Sequence, residues 1–367
     1  MTRIAEVFGF AMAAPSDVTG LAAAIAAGAL RPADAVCVYV KSEGNGQDND
    51  FSRDVAVRAL QDLFGAHQAA PLLIASGGCE GVLSPHCTVI QRRTVDGTAT
   101  NGTKALAVGH ARSRTLLPEE IGTLAQAQAM AETVRAAMAD AGLVPEDVAF
   151  VQVKAPLLTD AAIADAARRG VAVRAPRPHA SKPLTRAACA IGVGLALGEI
   201  DAAALAEESL GDATDANLRT ARAIVTPGNA DLRIDAVAFG HAAGWAGPHR
   251  VGTATMADLI DLPAAAALLQ RLGFAPAPQL SRDQAARIDA VLFKGDPPPE
   301  ETIRGSRHVI WRDSDIQPPR HVRAAVGGLL AGLVGHTRIF CAGGAEHQAP
   351  PGGGVLAIFA REESSHA

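Results

Sequence analysis

The chain has 367 residues, of which 49% are hydrophobic and 19% charged. That is enough for a large core and, by length, for two or three domains. A net charge of −5 without runs of like charge, together with two Trp and one Tyr, gives no support for nucleic-acid or anionic-surface binding.

MTRIAEVFGFAMAAP lacks the basic segment and cleavage pattern of a leader and reads as a first strand. SDVTGLAAAIAAGAL reads as a helix capped by Ser16. AVCVYVK is a strand ending in Lys41, and the polar loop EGNGQDNDF follows it. FSRDVAVRALQDLFG is a helix with Arg53 near its start. PLLIASGG is a second strand running into a small-residue turn at Ser76 and Gly77. The polar stretch at 104–113 reads as a boundary. A helix then begins near Pro118 and closes at Gly142. VAFVQVK ends in Lys154, and a longer connection that includes RAPRPHASKP leads to LTRAACAIGVGLALG with Arg186. RAIVTPGN carries Thr226 and Pro227. GWAGPHRVGT, at 244–253, reads as a second boundary. TMADLIDLPAAAALLQRLGF is a helix, IDAVLFK ends in Lys294, HVRAAVGGLLAGLVG carries Arg323, and RIFCAGG carries Ala342 and Gly343. GGAEHQAPPGGG is too rich in Gly and Pro for a regular element.

One plan therefore occurs three times: a lysine-ended apolar strand, an arginine helix, and a strand entering a small-residue turn. A repeat sets architecture. The expected units are 1–104, 113–248 and 254–367. Each lysine strand is a near-continuous apolar run, as in a strand covered on both faces. The arginine helices read apolar almost all round and are expected to be buried. Around a pseudo-threefold axis the lysines, arginines and turns would converge on one pocket. Such a pocket selects an anionic or strongly polarised ligand. Crowding and burial push lysine toward the neutral amine, a base able to activate a neighbouring hydroxyl. The glycines after Ser76 expose N–H groups to an oxyanion. His86 and His347 lie near the turns and are expected mainly to make structural hydrogen bonds. No apolar stretch reaches the roughly 18 residues of a spanning helix. The five cysteines, Cys37, Cys79, Cys87, Cys189 and Cys341, form no CxxC pair. A soluble cytoplasmic protein without a disulfide framework or zinc site is expected.

KSEGNGQDNDFSR, SGGCEGVLSPH, VQVKAPLLT, RGSRHVIWRDSDI and GGAEHQAPPGGG, spread over essentially the whole chain, resemble motifs of the ring-opening amidohydrolases, the cyanuric acid hydrolase and barbiturase family. The resemblance implies three α/β repeats about a pseudo-threefold axis, with a barrel-like core of strands. It implies hydrolysis of one amide of a small cyclic ureide or imide by a Ser–Lys pair, without a catalytic cofactor, in a homotetramer. By that resemblance Lys154 is the base and Lys41 and Lys294 are its counterparts. Arg53, Arg186 and Arg323 hold substrate. The turns at Ser76–Gly77, Thr226–Pro227 and Ala342–Gly343 line the ring. Asp296, where the family has glutamate, would join Ala345, Gln348, Ala349, Pro350 and Gly353 around a structural Mg²⁺ or Ca²⁺; oxygen ligands suit such a hard cation.

Three departures leave the chemistry open. The family has serine in all three turns, its second serine being the nucleophile, whereas here the series is Ser76, Thr226, Ala342. The family's glutamate four residues after the nucleophile is Ala230. Thr226 with Lys154 and Ser76 with Lys41 both remain candidate pairs. So does a protein that binds or transforms another small anionic ring without hydrolysis. The missing hydroxyl at Ala342 removes one hydrogen bond, about 0.5–1.5 kcal/mol, so a ring less symmetric than a triazine-trione is expected.

Overall fold

The computed structural model describes residues 1–47, 49–96, 104–211 and 213–363. The first unit contains β1 (Thr2–Ala11), α1 (Thr19–Ala26), β2 (Ala35–Lys41), α2 (Phe51–Gly65), β3 (Leu72–Ser76) and β4 (His86–Val95). The second contains β5 (Ala105–Arg112), α3 (Leu124–Ala141), β6 (Val148–Pro156), α4 (Asp160–Arg168), α5 (Pro178–Leu197), β7 (Ala223–Asn229) and β8 (Asp235–Ala242). After β9 (Trp245–Ala246), the third contains β10 (His249–Met256), α6 (Leu262–Arg271), α7 (Arg282–Ala285) and β11 (Ile288–Gly295). It continues through the small β12 (Thr302–Ile303) and β13 (Ser306–Arg307) pair to α8 (Pro318–Val334), β14 (Ile339–Gly343) and β15 (Gly354–Arg361).

The three main sheets have one topology. Their orders are β3-β2-β4-β1, β7-β6-β8-β5 and β14-β11-β15-β10, with β9 added at the β1 edge of the first. In each, the lysine strand runs parallel to the turn strand and antiparallel to the strand on its other side. The fold is thus three α/β repeats about a pseudo-threefold axis, strands inside. The barrel-like centre consists of separate sheets rather than one continuous ladder.

Period-two alternation assigns the two faces of each lysine strand. In β2, Val38 and Val40 join Leu21 of α1 and Leu60 and Phe64 of α2 in an outer core. In β11, Val291 and Phe293 likewise pack with α6 and α8. The alternate residues, Cys37 and Tyr39 in β2 and Ala290 and Leu292 in β11, face a core shared by all three sheets. Phe150 and Phe239 of the second sheet stack at 4.9 Å, and Phe359 of the third meets them edge-on at 5.9 and 5.1 Å.

Several expectations change. The stretch at 104–113 is the buried strand β5, not a polar boundary, because its small residues pack against α3: a Cβ on Gly109 would lie 2.1 Å from the Ala137 carbonyl. The stretch at 244–253 likewise supplies β9 and the start of β10. Helix α1 starts at Thr19 and has no side-chain cap; Asp17, not Ser16, accepts the Ala13 and Thr19 N–H groups. Pro178–Pro183, expected as connection, forms the first turns of α5, so Arg186 lies inside its helix, as Arg323 does in α8. Helix α2 buries only one face, through Ala56, Leu60 and Phe64, and leaves Phe51 and Val55 exposed. Among the described residues no helix is long and apolar enough to cross a membrane.

Phe359→Ala removes the ring that joins two sheets and is expected to cost about 3–5 kcal/mol. Urea unfolding checks this; an unchanged midpoint would mean that the sheets do not share this core.

Candidate active site

The alternation that puts Tyr39 and Leu292 on the inner face puts the terminal lysines there too. The register then fixes their partners. Lys41 lies opposite Ser76, Lys154 opposite Thr226, and Lys294 opposite Ala342. The three sets read from the sequence are therefore equivalent in space.

The arginines are permuted. Arg323 of the third unit lies in the field of Lys41 of the first, Arg53 of the first in that of Lys154 of the second, and Arg186 of the second in that of Lys294 of the third. Burial, then the facing arginine, pushes Lys41 and Lys154 down to about 8 and Lys294 to about 7. All three approach the neutral amine near physiological pH.

Two arginines are clamped by carboxylates. Arg323 donates through Nε (2.7 Å) and Nη2 (2.5 Å) to Glu80. Arg186 donates in the same way to Glu346, both at 2.5 Å. Both are bidentate pairs, the first buried and the second half-buried. Sequence reading did not assign Glu80 and Glu346 this role, although each stands four residues after its turn residue, Ser76 or Ala342. The turns fit the clamps closely. Gly78 and Gly344 have φ of +91° and +86°, and a Cβ there would lie 2.8 Å from Arg323 Nη2 and 2.4 Å from Arg186 Cζ.

The lysines differ in their bonds. Lys41 is fully buried, and its Nζ lies 2.9 Å from the Gly77 carbonyl, 2.6 Å from the Cys341 carbonyl and 3.2 Å from Ser76 Oγ. Lys294 donates to the Gly343 carbonyl at 2.7 Å. Lys154 Nζ has no hydrogen-bond partner among the described residues, and Thr226 Oγ1 accepts from Gln152 Nε2 at 3.4 Å.

The expected single pocket is not what the six cations share. A cavity of about 890 Å³ between α2–β3 and the second sheet is lined by Lys154 and Arg53, but not by the other four. Pro227 also lines it, with three residues that sequence reading missed: His110, Asp235 and Asn229. Asp235 lies in register beside Lys154 and accepts from Asn229 Nδ2 at 2.8 Å, while its other oxygen is 3.0 Å from His110 Nε2 and 3.4 Å from Arg112 Nε. The equivalent places in the other sheets are His86 and Val355, so no repeat pattern marked it.

In the 344–353 loop, Asp296 accepts the N–H groups of Gly344 (2.9 Å) and Ala345 (2.6 Å). Burial, then Glu346, pushes its carboxyl up. A hard cation there would take the Asp296 carboxylate with the carbonyls of Ala345, Ala349, Pro350 and Gly353, of which Ala345, Pro350 and Gly353 already accept the N–H groups of Gln348, Gly353 and Asp296. Gln348 fits less directly, since its Oε1 already accepts the Val225 N–H at 2.8 Å. His86 and His347 each place Nδ1 against a backbone carbonyl, Ser84 at 2.8 Å and Leu218 at 2.9 Å.

Residues 6–361 match the family model described as "Amidohydrolase ring-opening protein". A cyanuric acid amidohydrolase of Azorhizobium caulinodans is 44% identical over 97% of this chain and 98% of its own. A cyclic amide hydrolase of the same organism is 39% identical over 96% and 98%. A solved cyanuric acid hydrolase, described as an innovation by structural concatenation, superposes with a TM-score of 0.89 at 37% identity, covering 99% of this chain and 100% of that one. The chain belongs to the ring-opening amidohydrolase family.

Proposed function

We propose that this protein hydrolyses one amide bond of a small cyclic ureide or imide, with Ser76 as nucleophile and Lys41 as its base. The hydrogen-bond count at Lys41 carries this reading. A neutral amine has two N–H donors and one lone pair. The Gly77 and Cys341 carbonyls take the two donors, which leaves the lone pair for the Ser76 hydroxyl at 3.2 Å. Lys41 takes the Ser76 proton as Oγ adds to the ring carbonyl. The resulting ammonium returns a proton to the ring nitrogen as the C–N bond breaks, and water then cleaves the acyl-enzyme. Family membership and the names of the two Azorhizobium relatives support the reaction class.

A second reading pairs Thr226 with Lys154. It is favoured by their shared register and by the open Lys154 amine in the cavity. Under either reading the turn at Ala342 offers no hydroxyl, so a ring less symmetric than a triazine-trione, barbiturate-like for example, is the proposed substrate. The free cysteines suit a reducing cytoplasm, and the exposed Phe51 and Val55 suit burial in a homotetramer. A Mg²⁺ or Ca²⁺ held by Asp296 and the loop carbonyls would be structural, with no part in bond cleavage.

A panel of cyclic ureides and imides should show ring opening. Ser76→Ala is expected to lower kcat roughly a thousandfold or more, while Thr226→Ala changes it little; the reverse order would establish the second reading. Cyanuric acid turnover as efficient as that of the best ring would overturn the asymmetric substrate. Because the base form of Lys41 accumulates as pH rises through about 8, kcat/KM should rise through that pH and then level off. A flat profile from pH 6 to 10 would exclude a lysine base. Chelation should lower Tm by several degrees, and added Mg²⁺ or Ca²⁺ should restore it; an unchanged Tm would remove the cation from the account.

A further inference from the structure

In two of the three lysine–arginine pairings the guanidinium fork is already occupied. Glu80 takes Nε and Nη2 of Arg323, and Glu346 takes the same two nitrogens of Arg186. Both glutamates stand four residues after the turn residue of their unit. Four residues after Thr226 stands Ala230, which is exposed and has no carboxylate. The corresponding arginine, Arg53, makes no side-chain hydrogen bond among the described residues. Its one ion pair there is with its chain neighbour Asp54, at 3.8 Å, and the Asp54 side chain is 71% exposed.

The turn geometry shows the same difference. A Cβ on Gly78 or Gly344 would meet an arginine, whereas a Cβ on Gly228, the equivalent glycine, would meet Lys154 Nζ at 2.9 Å. Arg53 stands back from its turn, and the space is cavity. The other carboxylate on that wall, Asp235, is engaged by His110, Asn229 and Arg112. Apolar side chains of Val57, Phe64, Leu72, Leu73 and Leu157 line it as well. At about 890 Å³ the cavity lies toward the upper end of the roughly 300–1,000 Å³ range of small-molecule sites. A bare six-membered ring would leave most of it unfilled.

We propose that Arg53 recognises a carboxylate on the substrate, which is a cyclic amide bearing an exocyclic carboxylate and an apolar substituent. The ligand carboxylate would occupy, relative to Arg53, the place that Glu80 and Glu346 occupy on the other two arginines. The apolar part would lie against Phe64 and Leu73, with the ring toward Ser76, whose neighbour Ala75 lines the cavity. This rests on the reading that the protein opens cyclic amides, and it narrows that reading to an anionic member of the class.

The test compares two probes of nearly the same shape, the anionic hydantoin-5-acetate and the neutral hydantoin-5-acetamide, by calorimetric binding to the full chain. Wild type should bind the acetate roughly ten- to a hundredfold more tightly. That ratio should fall to about one in Arg53→Gln. It should also fall in Ala230→Glu, where a side-chain carboxylate is restored and the acetamide affinity is kept. Circular dichroism and Tm confirm that both variants fold, and the second removes no cavity residue. Equal affinity of the two probes for wild type, or a preference that survives Arg53→Gln, overturns the proposal. Turnover followed in parallel separates it from the broader reading. Opening of the acetamide with no preference for the acetate overturns the carboxylate site and leaves the hydrolase. A preference for the acetate without turnover of any ring supports the site and overturns the hydrolase.

Discussion

Three lysine side chains at the inner ends of three strands, Lys41 and Lys294 buried and Lys154 half-buried at the cavity, are the constraint from which the rest follows. A cation out of water must lose its proton or gain compensation. Here Lys41, Lys154 and Lys294 each face an arginine as well as burial, and all three move toward the neutral amine. The arginines cannot deprotonate in the same way. They need carboxylates, and Glu80 and Glu346 supply them in tight pairs, that of Arg323 buried and that of Arg186 half-buried. Removing one member of such a pair costs about 3–5 kcal/mol because the other stays buried and unpaired. The glutamates are therefore part of the condition under which a basic site can exist inside an acidic protein.

The permutation of the arginines explains why three copies are needed in one chain. A single unit would present its lysine with no arginine, since each arginine helix delivers its guanidinium to the next unit. Closure around the axis supplies the missing partner three times. The core repeats the dependence in apolar form: Phe359 of the third sheet fills the angle between Phe150 and Phe239 of the second. Site and core thus rely on the same contacts between units, so a disturbance of one reaches the other.

Much of this was legible in the sequence, for identifiable reasons. The lysines were visible because a strand buried on both faces reads as an apolar run that ends abruptly in charge, and because the pattern recurs. The inner-face position of each lysine follows from period two alone. The strand β5 was not visible. HARSR at its end looks polar, and its inward residues are Ala and Gly because α3 packs against them closely. The pairing of Arg53 with Lys154 is a long-range contact between units, which no local pattern encodes. Glu80 and Glu346 lay between these cases. Their spacing from the turn is regular, but their function appears only once the arginines of neighbouring units are brought alongside. Asp235 had no counterpart in the other copies, so comparison of the repeats could not single it out.

The decay of the threefold pattern is itself ordered. The turn hydroxyl runs Ser76, Thr226, Ala342, and the carboxylate four residues later runs Glu80, Ala230, Glu346. The two losses fall in different units. The first turn keeps both hydroxyl and carboxylate, and its hydroxyl alone touches a lysine. The second turn keeps a hydroxyl without the carboxylate, and there the cavity opens. The third keeps the carboxylate without a hydroxyl, and there the arginine is clamped and the lysine amine is held by a backbone carbonyl. A symmetric frame of cations has in this way become three unlike places: one where a serine hydroxyl meets a lysine amine, one with an open arginine and amine, and one closed. A ring with three equivalent edges would find equivalent partners at none of them, whereas an asymmetric ring with one anionic side could match each edge to a different place. The proposed substrate rests on where the symmetry is broken, as the fold rests on where it is kept.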